Sequence, residues 1–363
     1  MGLMFSCLDT SIVSTALVSV SIEFQNYQDI PWTVLGYLLT YMSFAVGFSK
    51  LSDVYGRKNI LAIAWLLFTL GSVWCGTARR MGELIPFGAL AVLGIYALWP
   101  VERRERYGTT AAIARIDFLG NTLLAAASIL LVFALQQAGS FVWVWSSPII
   151  IGSLVTAGAC WLLLAVWEHH LFRRGSNSNG IQPIFPMRLF TDRVYILCLL
   201  VTLLHGLTYI SLLIKLPEHL QLLHSDTALS AGLHLLPLLS TCALGSFLGG
   251  ALSKGGRNFT SQTLAAGSVL QLLGMGLLLG FAWAGANSVG GGGGGDGVVG
   301  MAKLLGCTAV YGLGVGLAFA ACTMLAAIRA SSEDLAAAQG AVAQARVFGG
   351  AGVGGCTIVF GGW

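Results

Sequence analysis

A few residues in this sequence stand where their side chains could do chemistry. Asp9, with Thr10 beside it, falls inside the apolar run "LDTSIVSTAL". Arg346 and Gln344 lie in "QARVFGGAGVGG", His205 in "LLHGLTY" and Gln136 in "ALQQAGS". A carboxylate enclosed by apolar residues can take up and release a proton, because burial disfavours its charged form; equally, Asp9 can stand hydrated near the cytoplasmic end of its span. An arginine in such a run can tune a carboxylate or hold an anionic substrate; equally, it can pack at a helix interface against a carbonyl. His205 can shuttle a proton or serve as a hydrogen-bonded packing residue. Gln136 and Gln344 can present hydrogen-bonding groups to a cavity.

A second constellation is "SKLSDVYGRKNIL", Ser49 to Leu61. Only 9% of the chain is Asp, Glu, Lys or Arg, yet four charges crowd here. Asp53 and Arg57 are four apart, so on a helical turn they share a face and can pair. Gly56 permits a tight turn or a close helix approach. Arg57 and Lys58 would stand at the start of the following apolar run. The cluster reads either as a basic anchor at the membrane surface or as a latch that docks in one conformation and releases in another.

Other chemistries find no constellation. The eight cysteines lie in or beside apolar runs without a CxxC pair, and read as small core residues. His219, His224 and His234 do not have metal-ligand spacing. The run Gly290 to Gly295 has no Gly-Lys-Ser/Thr after it, so it is a low-complexity loop and not a phosphate cradle. No nucleophile with an acid/base partner is present. Neither a metal nor a cofactor is expected, and the chain does not read as an enzyme. The net charge of +4 is spread over short clusters without interleaved aromatics, so no nucleic-acid partner is expected.

The elements that position these residues are membrane spans. The hydrophobic fraction is 56% and the mean hydropathy +0.80, too apolar for a soluble surface. Apolar runs recur at about the 20 residues that cross a bilayer, without the alternation of a membrane barrel. The expected fold is an all-α membrane protein, a polytopic bundle of about 11 spans: 3–21, 31–49, 59–78, 84–99, 118–137, 148–168, 194–214, 229–250, 261–284, 302–328 and 340–360. The first span begins almost at once, as if clipped. Glu168 to Arg193 forms the longest polar connector. Four regions follow: 1–100 as an N-terminal helical half, 101–170 as a linker-helix pair, 171–193 as a cytoplasmic loop and 194–363 as a C-terminal half.

Lys and Arg orient the chain. With the N-terminus in the cytoplasm, 14 of the 19 fall on inside connectors, four outside, and Arg346 within a span. Arg79 and Arg80 are the exception, in the tight outside connector "ARRMGEL". His169 and His170 stand at a membrane exit, and Trp143 and Trp145 fit an interfacial aromatic belt.

"KLSDVYGRKNIL" resembles the signature loop between the second and third helices of the major facilitator superfamily. Leu51, Ser52, Asp53, Gly56, Arg57 and Lys58 stand in register, with Ser49 where the family usually has glycine. "LDTSIVSTAL" resembles the first-helix signature of its drug:proton antiporter branch with fourteen helices, matched at Asp9 and Thr10. "RIDFLG", Arg115 to Gly120, is similar to the lead-in of that branch's seventh helix. "LPEHLQLLHSDTALSAGLHLLP" is similar to the segment before its tenth, through Pro217, Gln221, Gly232 and Pro237. "YGLGVGLAF" resembles the twelfth, with Gly312, Gly314 and Gly316. "QARVFGGAGVGG" resembles the thirteenth, with Arg346, Gly349 and Gly350.

The resemblance implies a secondary transporter that exports amphipathic organic compounds against incoming protons, with no cofactor beyond the proton gradient. Its partners would be the lipid bilayer, protons and a small organic substrate. Asp9 and Arg346 become proton-coupling candidates. Asp53, Gly56, Arg57 and Lys58 become a conformational latch, and Thr10, Gln136, His205 and Gln344 candidates to line the substrate cavity. The plasma membrane is expected over the vacuolar membrane. Two departures stand beside this. The helix with an Arg and a Gly-rich stretch, and the one carrying the antiporter Gly-Pro…Gly-Gly signature, do not appear after span three, and Trp363 precedes a fourteenth helix. A shortened form lacking about three helices is expected. Alternatives are a truncated membrane protein that does not transport, a divergent short family, or a transporter of siderophores or basic amino acids.

Overall fold

The computed structural model describes residues 66, 69–74, 77, 117–139, 144–174, 189, 191–223, 227–253, 259–288, 296–330 and 335–351. Residues 66, 69–74 and 77 are helical, inside the expected span 59–78. Seven long helices follow among the described residues: α1 Phe118–Gly139, α2 Pro148–Arg174, α3 Arg193–Leu223, α4 Ala228–Ser253, α5 Thr260–Ser288, α6 Asp296–Arg329 and α7 Leu335–Ala351. They are the last seven spans expected from the sequence. Five of them, α2 to α6, are long and apolar enough to cross a membrane, and α1 carries a shorter apolar stretch, Leu119–Leu135. The described residues contain no strand. Asp9, Thr10, Asp53, Gly56, Arg57 and Lys58 lie outside the described residues.

Four starts are marked by the residue type that helix ends demand. The first amides of a helix lack intrahelical acceptors, and a short polar side chain just before the first turn supplies one. Gly120 N donates to Asp117 Oδ1 at 2.8 Å, Ile150 N to Ser147 Oγ at 3.4 Å, Val194 N to Asp192 Oδ1 at 2.9 Å and Ser230 N to Thr227 Oγ1 at 3.3 Å. Inside the helices, hydroxyls donate to carbonyls one turn back, as Thr202 does to Cys198 (2.7 Å) and Thr323 to Phe319 (3.0 Å). That removes their cost in an apolar setting.

The helices overrun the expected bounds where polar residues ride on a continuing helix. α2 runs to Arg174, six residues into the expected connector from Glu168. α3 continues to Leu223 through an internal proline, Pro217. Its ring removes one backbone donor but cannot end a helix so heavily apolar before it. α6 begins at Asp296, ahead of the expected 302.

By contact, the described residues fall into two compact units. One comprises 212–328. Within it α4 and α6 run parallel: Gly312 faces Leu238 and Thr241, Gly316 faces Cys242, and Gly249 faces Leu317 and Ala320. Ser246 Oγ donates to the Gly316 carbonyl at 3.3 Å. α5 runs antiparallel to α6, with Gly267 against Gly314 and Ala318, and Gly274 against Tyr311. The fully buried Tyr311 hydroxyl accepts from Gln271 Nε2 at 3.2 Å. Small residues let these backbones meet, as helix pairs in lipid require.

The other unit comprises 66–211 with 329–351. α1 and α2 pack antiparallel, the start of α1 beside the end of α2, where Trp167 Nε1 donates to both Asp117 carboxylate oxygens at 3.0 Å. α7 packs on α1 and sets Phe348 edge-on to Trp161, with ring centroids 6.4 Å apart. In both units, helices an even number of steps apart run the same way and neighbours run oppositely. Chains that cross one slab repeatedly must do this.

Candidate functional site

The residues singled out in the C-terminal spans converge on the contact between α3 and α7. Tyr195, near the start of α3, donates its hydroxyl to the Ala338 carbonyl of α7 at 3.1 Å. Further along, Gly349 meets the backbone of Leu203, Gly206 meets the backbone of Arg346, and Gly350 meets the side chain of Ile210. The register rises together on both helices, so they run parallel. Glycine is required at these contacts: a Cβ on Gly206 would lie 2.7 Å from the Arg346 carbonyl carbon and 2.9 Å from its Cα.

This seam carries the polar residues. His205 precedes Gly206 and is 8% exposed; Gln344, two residues before Arg346, is 6% exposed. His205 Nδ1 and the Nε and Nη2 atoms of Arg346 are shut off from the surroundings. A rise of about 1.5 Å per residue places His205, Gln344 and Arg346 at one level of two helices in backbone contact. Removing an arginine from water is costly, so its position in the tightest part of the seam marks that level as the strongest functional candidate. Among the described residues this arrangement can bind a proton, hydrogen-bond a polar substrate group or balance an anionic one. No group of three or more potential metal ligands occurs among the described residues.

Gln136 stands on α1, and its side chain lies outside the described residues. Its neighbour Gln137 is buried. Sequence reasoning passed over three further residues. Asp117, 2% exposed, caps α1 and holds Trp167; Glu168 is buried beside it in sequence on α2. An aspartate just ahead of an apolar run is a legible cap signal, but its tryptophan partner, 50 residues on, has no local signature. His169 and His170 are exposed at the end of α2. Five cysteines lie among the described residues, all as free thiols; Cys198, Cys242, Cys307 and Cys322 are buried.

At the ends of the helices, Asp192, the α3 cap, takes Arg329 Nη1 at 3.5 Å from the last turn of α6. Asp192 and Arg329 belong to connectors assigned to one side by the Lys/Arg pattern, and this contact agrees with that assignment.

No family model matches the chain. Over 96% of its length it is 29% identical to an MFS-type transporter, FPY5, of Fusarium mangiferae, and covers 69% of that protein. It is similar, at 24% identity over 93% of its length, to the efflux pump dotC of Dothistroma septosporum, of which it covers 66%. A crystal structure of a bacterial homologue of the human lysosomal transporter Spinster matches 98% of the chain with a TM-score of 0.53 at 13% identity, covering 79% of that protein. The chain is similar to transporters of the major facilitator superfamily. These relatives are transporters and pumps, not enzymes, and the helical membrane fold is theirs. The chain spans about two thirds of the length of both fungal relatives.

Proposed function

We propose that the chain is a proton-coupled exporter of amphipathic organic compounds in the plasma membrane. The observation that carries the reading is the closed α3–α7 seam, which sets Arg346, Gln344 and His205 at one level inside adjacent parallel spans. Similarity to a relative named as an efflux pump supports the outward direction. In this reading Asp9 takes a proton from outside and releases it inside, and Arg346 favours its ionised form or meets an anionic group on the substrate. Gln344, His205, Thr10 and Gln136 supply hydrogen-bonding groups to the cavity. Asp53, Gly56, Arg57 and Lys58 latch the cytoplasmic side while the cavity opens outward.

The test is accumulation of an amphipathic dye in cells expressing the chain. Expression should lower dye content, and Asp9→Asn or a protonophore should restore it. Unchanged dye content on expression, with the protein verified in the membrane, would favour a non-transporting role. Extrusion that survives the protonophore would remove proton coupling.

A further inference from the structure

A groove of about 370 Å³ runs between the first turns of α1 and the last turns of α2, lined by Leu119, Leu123, Leu163, Val166, Trp167 and His170. Leu119, Leu163 and Val166 are exposed, so on a membrane span they face hydrocarbon. The two Asp117 hydrogen bonds fix the Trp167 indole, and the His170 ring follows with its centroid 6.4 Å away. Beyond the groove along α2, His169, His170 and Arg173 are exposed. The two carboxylates of this neighbourhood, Asp117 and Glu168, are buried. Among the described residues, the fixed charge exposed at the mouth is the Arg173 guanidinium, and the apolar channel leads up to it.

We propose that this groove binds an anionic phospholipid, its acyl chain lying against Leu123, Leu163 and Val166 and its headgroup phosphate against His170 and Arg173. A zwitterionic lipid fits the channel but gains less from the cationic mouth. A free phosphate meets the mouth but leaves the channel unfilled. The carbonyls at the end of α2 disfavour an anion on the helix axis, whereas a phosphate arriving from the side of the helix meets the guanidinium first. A basic stretch serving only to orient the chain would also attract anionic lipid, but its retention would not depend on the channel beneath it.

The full chain, purified in mild detergent, is mixed with equimolar phosphatidylglycerol and phosphatidylcholine of matched acyl chains, and retained lipid is read by native mass spectrometry. Phosphatidylglycerol should be retained in preference. Arg173→Gln should reduce that preference about fivefold, equivalent to the roughly 1 kcal/mol of one interfacial arginine. Leu163→Trp fills the channel from an exposed position and leaves the cations in place; it should reduce retention of both lipids. Equal retention of the two lipids by the unaltered chain would overturn the proposal. So would a preference indifferent to both substitutions, or displacement of the lipid by millimolar inorganic phosphate alone.

Discussion

The carbonyl of Arg346 lies against Gly206 in the space a Cβ would fill. Backbone, not side chain, blocks that space, so no rotamer change can relieve an intrusion. Gly206→Ala should therefore separate α3 from α7 or strain both, costing about 1–3 kcal/mol. Thermal unfolding in detergent measures this. Gly152→Ala on α2 is the control: nothing lies within 4 Å of a Cβ there, and the midpoint should stay where it is or rise slightly. Equal shifts at the two positions would show that the contact at Gly206 adds nothing beyond helix propensity.

Tyr195 ties the other end of the same seam through its hydroxyl and the Ala338 carbonyl. Tyr195→Phe keeps the ring and removes the bond, and should cost about 1 kcal/mol. Combined with Gly206→Ala, the losses should add to within about 0.5 kcal/mol, because the two contacts lie roughly 16 Å apart along α3 and share no partner. A large departure from the sum would show that loosening one contact releases the other.

Asp117 serves two partners, the amide of Gly120 and the indole of Trp167. Asp117→Ala should lose the cap, about 1 kcal/mol, and leave the indole without its acceptor. Trp167→Phe alone should lose less than Asp117→Ala. In the double variant the second change should add little, since the partner is already gone. The double-mutant cycle in thermal unfolding reads this coupling directly.

Asp192 and Arg329 offer a contrast. Their ion pair is partly exposed, so Arg329→Gln should cost under about 1 kcal/mol. Asp192→Ala should cost more, because Asp192 also accepts from Val194 N at the start of α3. Equal losses would mean that the ion pair, not the cap, is what Asp192 contributes.

The spans were legible from the sequence because lipid leaves the chain little choice. A run of about 20 apolar residues in that setting must close its own backbone hydrogen bonds, and a helix does so. α4 and α5 lie within a few residues of expectation for that reason. Ends were less legible where helix and polar residues coexist, as at Pro217 in α3 and at His169 to Arg174 in α2. Within the seam, Gly349-Gly350 and Arg346 stood out by type, but their partner did not. Gly206 lies about 140 residues away, in a stretch where one glycine among leucines carries no signal. The same holds for Asp117 and Trp167, whose pairing exists only once α1 and α2 fold back on each other. Gln137 shows the limit of reading by type alone: its burial follows from the phase of α1, which residue type does not give.

Transport itself remains the central claim, and a substrate-driven proton movement tests it most directly. The purified chain in liposomes carrying a lumenal pH-sensitive dye, with inside-facing and outside-facing orientations separated by topology labelling, is given an outward or inward gradient of an amphipathic organic cation. Proton flux opposite to the cation, absent with Asp9→Asn and reduced with Arg346→Gln, is the expected result. A lumenal pH that stays flat for the unaltered, correctly folded chain across a panel of cationic, neutral, siderophore and basic amino-acid substrates would contradict it.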